Sequence, residues 1–375
     1  MIDNPLHVVF TGGGTAGHLF PGLAVAEQLV EEDPHVRITF AGSGSEFERR
    51  HVAASGFEYV AIRCKPAPRR LRDAFAFFTD NVAGYREAGR FLDEQDVDVV
   101  VGLGGYASAP TAKAAARRGT ALILLEQNAV PGKVTRWLAG SATMICAAMG
   151  ETRAKLRCPC PVRVTGNPVR ATDYGDHRVL GDQRQLLVLG GSRGARSINE
   201  SVPPALQRIR AKLGGWKVVH QSGELDFPAT AECYRQFNLS ASVVPFIDNV
   251  PAMLAATDLA VSRAGGTTLA ELTVAGVPAV LLPYPHAADD HQRKNADVLT
   301  GRGAAVTLDE RELSDALVDR LAGVLGELLE DPDRRARMSA AMHELARPDA
   351  AAEVAELIFS VAGRRSLCCG EPVAA

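Results

Sequence analysis

The stretch TGGGTAGH, residues 11–18, decides the fold of this chain. It follows an apolar run, His7 to Phe10, and opens onto a helical pattern. A strand, a tight glycine turn and a helix N-terminus together make an anion site. Backbone N–H groups there point at the ligand, and the helix dipole favours negative charge. A second unit of the same kind follows Leu186–Leu189 and reads Gly190-Gly191-Ser192-Arg193-Gly194-Ala195. Two such units predict an α/β chain of two Rossmann-like halves that face each other across a cleft.

Outward from these loops, strand and helix patterns alternate, which predicts parallel sheets covered on both faces. The first half predicts strands at His7–Phe10, Val36–Ala41, Val97–Gly102, Ala121–Leu125, Met144–Ala147 and Val162–Thr165. Its predicted helices are Val25–Glu32, Thr111–Arg118 and Lys133–Ala139. The pattern restarts after Gly166-Asn167-Pro168, with the polar segment Ala171–Arg184 as linker. The second half predicts strands at Leu186–Leu189, Lys217–His220, Ser242–Pro245, Leu259–Ser262 and Ala279–Leu282. Its helices are expected at Ala195–Leu213, Val250–Ala256, Thr267–Ala275 and Asp289–Thr300. A last helix, about Ala350–Ala362, is expected to pack back on the first domain, and the tail from Gly363 to have little to bury. The expected division is therefore residues 1–168, 169–345 and a returning segment 346–375.

Composition narrows the function classes. A chain of 375 residues exceeds one ordinary domain, and 46% hydrophobic with 23% charged residues is ordinary for a soluble globular protein. The formal charge of −3 speaks against nucleic acid as a partner. The seven cysteines show neither zinc-ligand spacing nor a paired framework, which points to reduced thiols in the cytosol. The start, Met1-Ile2-Asp3-Asn4-Pro5, has neither the basic region nor the apolar core of a signal peptide. No stretch approaches the roughly 18 apolar residues of a spanning helix, so any membrane contact is expected to be peripheral.

Several loops carry polar chemistry. The first formally matches G-x-G-x-x-G through Gly12, Gly14 and Gly17. A dinucleotide cofactor is disfavoured, because the second strand ends in Ala41-Gly42-Ser43-Gly44 without the acid that would hold an adenosine ribose. His18 stands at the helix start, where an imidazole can take a proton from an attacking alcohol, or can simply cap the turn. Ser192 offers a hydroxyl to a phosphate in the second loop. The run SRAGGTTLAE, residues 262–271, brings small residues to a helix start, and Glu271 either accepts from a vicinal diol or complements the helix dipole. Gln292 and Asn295 share a helix face and suit sugar hydroxyls, while Asp289 and Asp290 read as caps. Glu126-Gln127-Asn128 and the loop Gly102–Ser108 complete the set, each serving a ligand or a loop network.

Taken together and in order, these motifs resemble the MurG family of bacterial UDP-N-acetylglucosamine transferases. The resemblance rests on GGGTAGHLFPGLAVAEQL (12–29), VVGLGGYASAPTAKAA (100–115), LEQNAVPGKVTRWLA (125–139), VTGNPVR (164–170), LLVLGGSRGARSINE (186–200), PFIDNV (245–250), SRAGGTTLAEL (262–272) and DHQRKNA (290–296). It implies the GT-B fold and an inverting transfer of N-acetylglucosamine from UDP-GlcNAc to lipid I (undecaprenyl-pyrophosphoryl-MurNAc-pentapeptide), with no cofactor and no essential metal. It further implies Thr15, Ala16 and Gly17 near the donor, His18 as general base and Asn128 at the sugar or acceptor. Arg170 would meet the nucleotide, Ser192 the diphosphate and Ile247 the uracil. Gly266, Thr267, Thr268, Leu269, Ala270 and Glu271 would cradle the nucleotide, with Glu271 on the ribose and Gln292 and Asn295 on the sugar. Two departures stand out. Ala16 occupies a usual glycine position, where a methyl group could narrow the approach to the ligand, and Leu125 replaces a usual histidine on the acceptor side.

A lipid acceptor implies a surface for the anionic cytoplasmic face of the membrane. Arg69, Arg70, Arg72 and Phe77 are the candidates. Against this, Leu71, Phe75, Phe78, Val82 and Tyr85 have the spacing of a helix face buried in a core. Other GT-B glycolipid transferases, a UDP-sugar epimerase and a dinucleotide oxidoreductase are the competing readings.

Overall fold

The computed structural model describes residues 5–68, 70–170, 184–191, 194–313 and 316–363. Arg69, Ser192, most of the expected linker and the tail beyond Gly363 lie outside them. Two compact units emerge: Met1–Ala171 with Arg347–Ala375, and Thr172–Ala346.

Among the described residues the first unit holds seven strands: β1 (His7–Thr11), β2 (Arg37–Gly42), β3 (Glu58–Ala61), β4 (Val99–Gly102), β5 (Ala121–Glu126), β6 (Met144–Ala147) and β7 (Val162–Val164). Their order is β3-β2-β1-β4-β5-β6-β7 and every pairing is parallel. The central strands carry apolar runs because helices cover both faces, as the buried Val99–Gly102 and Leu122–Leu125 require. On one face the helix Ala16–Glu32 contributes Leu19, Leu23 and Ala26 to the core. The C-terminal helix Ala350–Val361 adds Val354, Ala355, Ile358 and Phe359 to the same cluster. The chain thus returns to its first unit, closing that core with its last helix.

The second unit holds β8 (Arg184–Leu189), β9 (Trp216–Gln221), β10 (Ser242–Val244), β11 (Leu259–Ser262), β12 (Ala279–Leu281) and β13 (Ala305–Thr307). The order is β10-β9-β8-β11-β12-β13, again parallel throughout. The amphipathic helix Leu317–Glu330 covers one face with Leu321, Leu325, Leu328 and Leu329.

In each unit the strand order reverses beside the first strand. Chain connections leave β1 for one side and β4 for the other; β8 and β11 repeat the arrangement. Such a switch point opens a crevice at the carboxyl ends of the strands, where open α/β sheets bind ligands. Both glycine loops leave from these strand ends.

One expectation is corrected. The helix Ala74–Glu94 buries Ala88, Gly89 and Leu92 in its second half, where it packs on the helix Ala109–Arg118, and Gly84 against the Arg63 backbone. Its first half projects beyond that contact. Phe75 is 79% exposed, Phe78 65% and Val82 45%, so this part of the stripe is surface, while Tyr85 at its end packs against the core. Phe77 is half-buried, its ring edge-on to Phe78. Helical spacing shows which residues share a face, and the neighbouring helix is too short to cover all of it.

Candidate active site

The first unit gathers polar loops at three strand ends. After β1, Gly12 and Gly13 take φ of +124° and +142°, conformations that a side chain rarely adopts. Gly12 lies so near β4's loop that a Cβ would stand 2.8 Å from the Gly104 oxygen. Beneath Gly13 lies Glu48, fully buried and not singled out from the sequence. Its Oε2 accepts from Ser43 Oγ (2.8 Å), Tyr59 Oη (2.7 Å) and Ser45 N (3.2 Å). Burial and this carboxylate raise the Tyr59 phenol far above its ordinary value. The signal for Glu48 was the capping box Ser45-x-x-Glu48, which starts the helix Glu46–Ala54. A Cβ on Gly13 would stand 2.6 Å from Glu48 Oε1. Gly13→Ala is therefore expected to lower stability by about 1–3 kcal/mol. The midpoint of chemical unfolding checks this, and an unchanged midpoint would mean the loop is not seated on Glu48.

Thr15 is the N-cap of the helix Ala16–Glu32 but makes no side-chain cap bond. Ala16, Gly17 and His18 form the first helical turn. Ala16 has no positive φ, so its methyl group costs nothing in backbone strain. Leu125 lies 2% exposed in the core on the face covered by Ala16–Glu32.

His18 Nδ1 lies 3.1 Å from Gln127 Oε1. The ring lies against Gly104 and Gly105, where a Cβ would approach it to 3.3 and 3.4 Å. At the end of β5, the buried Glu126 accepts from Asn128 N (3.1 Å), Asn128 Nδ2 (3.2 Å) and Gly132 N (2.8 Å). Asn128 is thereby oriented by its own loop, and both readings of the Glu-Gln-Asn run, ligand and loop network, have physical content. Arg170 forms an ion pair with Glu27 (3.1 Å), donates to Ser55 Oγ (2.9 Å) and lies over the Phe20 ring.

The second unit builds around β11 and β12. Gly265 caps the helix Gly266–Val274 without a side-chain bond. Glu271 stands in the second turn, and burial pushes its carboxyl up to about 7. Gln292 Oε1 accepts from Tyr284 N (2.9 Å) and Ala264 N (3.2 Å), joining the loops after β11 and β12. Its Nε2 keeps the donor capacity. Asn295 is fully buried and donates to the Ala264 oxygen (3.0 Å), bracing that loop from behind. Ile247 is buried too. Around the second glycine loop, Gly194 has φ +73° and approaches Ser222 so closely that a Cβ would stand 2.3 Å from its oxygen.

Sequence reasoning missed the charged frame behind these loops. Arg263 donates to Leu282 O (2.9 Å) and Ser197 Oγ (2.7 Å), pairs with Glu310 and lies under Tyr284. Asp309, bonded by Arg311 and Arg293, is held down at about 2. Apart from Asp309 and Arg311, which are two residues apart, these partners are distant in sequence, and nothing local links them. Among the described residues, no group of three or more His, Cys, Asp or Glu side chains could hold a metal ion.

Comparison with known proteins bears on the family and the fold. Residues 8–147 match the glycosyltransferase family 28 N-terminal domain and residues 185–354 its C-terminal domain. These two matches define the class, a family 28 glycosyltransferase of GT-B fold. A Geobacter sulfurreducens protein, UDP-N-acetylglucosamine--N-acetylmuramyl-(pentapeptide) pyrophosphoryl-undecaprenol N-acetylglucosamine transferase, is 38% identical over 367 residues, spanning 95% of this chain and 99% of that one. The crystal structure of Acinetobacter baumannii MurG superposes with a TM-score of 0.74 at 30% identity, covering 95% of this chain and 100% of that one. The chain belongs to the family of these UDP-N-acetylglucosamine transferases. A UDP-N-acetylglucosamine 2-epimerase at 16% identity and TM-score 0.69, covering 100% of both chains, shares the fold.

Proposed function

We infer that this chain transfers N-acetylglucosamine from UDP-N-acetylglucosamine to the 4-hydroxyl of the MurNAc of lipid I, forming lipid II. The observation that carries the reading is the 38% identity running through both units. Polar loops at both sheet switch points support it. In this reading the second unit holds the nucleotide: Ile247 beside uracil, Glu271 on the ribose diol, Ser192 and Gly266–Ala270 around the diphosphate. Gln292 donates to the sugar, and Asn295 acts through the loop it braces. The Glu27 pair holds Arg170 in this state, so a nucleotide at Arg170 competes with it.

The acceptor hydroxyl is a poor nucleophile. His18 takes its proton as it attacks the anomeric carbon from the face opposite UDP, which inverts the configuration. Negative charge then grows on the departing diphosphate. Backbone N–H groups at the start of the helix Gly266–Val274, and the dipole behind them, stabilise it without reorganising. Thr15, Ala16, Gly17 and Asn128 shape the space around the reacting sugar.

Labelled UDP-N-acetylglucosamine tests the assignment. Label should enter a lipid-extractable product only when lipid I is present. Conversion of the nucleotide sugar without lipid would indicate an epimerase, and transfer to another lipid alone a different acceptor.

Among the described residues no helix is long and apolar enough to cross a membrane. We place membrane contact at the start of the helix Ala74–Glu94, where exposed Phe75, Phe78 and Val82 follow exposed Arg70 and Arg72. Aromatic rings suit the interface, and each arginine near an anionic surface contributes about 1 kcal/mol. Phe75→Ser with Phe78→Ser is expected to weaken sedimentation with anionic liposomes at least tenfold. Turnover on a detergent-dispersed acceptor should change little. Undiminished sedimentation would move the contact elsewhere.

A further inference from the structure

We propose that Gln127 is a positioning residue for the transfer. Its side-chain oxygen holds His18 in the tautomer with the proton on Nδ1, so that Nε2 carries the lone pair that receives the acceptor's proton. The proposal rests on the reading of His18 as base given above.

The geometry works from the backbone outward. Gln127 is buried just past the end of β5. Its Nε2 donates to the Leu103 oxygen (3.0 Å) beyond β4 and to the Leu125 oxygen (3.4 Å) on β5. Flipping the amide would set its oxygen against two carbonyl oxygens, so the orientation is determined by the sheet. Oε1 is thereby aimed at His18 Nδ1, 3.1 Å away. An amide oxygen only accepts, so Nδ1 must be the protonated nitrogen. Gly104 and Gly105, at φ +90° and +72°, let the backbone lie flat along the ring. A Cβ at Gly104 would stand 3.3 Å from Cε1 and Nδ1, so the slot also limits rotation of the ring. The amide resembles the carboxylate of a catalytic triad in fixing tautomer and direction. Being neutral, it does so without the anion that would hold the imidazole protonated.

Nitrogen-15 spectra of the labelled protein read the tautomer directly, and kinetics read its use. In the unmodified protein His18 should show the Nδ1–H form. Gln127→Met keeps the volume and removes the acceptor. It should give mixed tautomers and lower kcat about tenfold or more, with KM for UDP-N-acetylglucosamine within about twofold. In a His18→Ala background the same change should cost nothing further, because the two residues act as a unit. Gln127→Glu should restore the Nδ1–H form and raise the apparent pKa of the acid limb of the rate profile. An Nε2–H tautomer in the unmodified protein would overturn the proposal, and it requires no variant to fold. So would Gln127→Met with normal kcat, or additive losses in the double variant. Full turnover by His18→Ala would instead remove the base reading and leave the tautomer result standing.

Discussion

His18→Ala should lower turnover by two orders of magnitude or more, with UDP affinity nearly unchanged. General base catalysis is worth about 10²–10⁴-fold. The loss should fall on kcat, because His18 sits on the first unit while the proposed nucleotide contacts, Arg170 apart, sit on the second. The rate profile should confirm it: the acid limb that reports the imidazole disappears in the variant. Single-turnover kinetics with lipid I make the measurement clean, since product release then drops out. A variant that keeps its turnover would take His18 out of proton transfer, whatever the rest of the site does.

Glu271→Ala should weaken UDP binding by about 10–100-fold, the range for removing a charged hydrogen-bond acceptor. Isothermal calorimetry checks it, and the pH dependence checks the cause. Burial pushes this carboxyl up to about 7. A ribose diol donates best to the ionised form, so UDP affinity should rise as pH passes upward through about 7, and Glu271→Gln should flatten that rise. The sign reverses for the free protein. Its folded state holds the proton more tightly than the unfolded chain, so this group's contribution to stability is full below the ordinary carboxylate range and is lost as pH rises toward about 7. A flat affinity profile in the unmodified protein would mean Glu271 serves the helix and not the ribose.

The strands that bear the site were legible because buried parallel strands are continuous apolar runs. Met144–Ala147 and Leu259–Ser262 have the limits expected of them. Of the edge strands, Val162–Val164 and Ser242–Val244 were legible, but Glu58–Ala61 and Ala305–Thr307 were not: Glu58–Ala61 carries a glutamate and a tyrosine and is only partly buried, so it lacks the run that marks a strand. The helix Ala16–Glu32 begins nine residues before the expected Val25, because Gly17 and Pro21 weaken the pattern while the packing of Leu19 and Leu23 carries it. Both glycine loops, His18 and the Gly266–Glu271 turn were visible from residue types alone. The Gln127 contact, the buried Glu48 and the Arg263–Glu310 frame were not, since each depends on which strand ends the topology brings side by side.

A crystal structure with UDP-N-acetylglucosamine bound tests the central claim most directly. The account predicts ribose hydroxyls within hydrogen-bonding distance of the Glu271 carboxylate and the diphosphate at the Gly266 end of its helix. Nucleotide density away from the carboxyl ends of β8, β11 and β12 would contradict it.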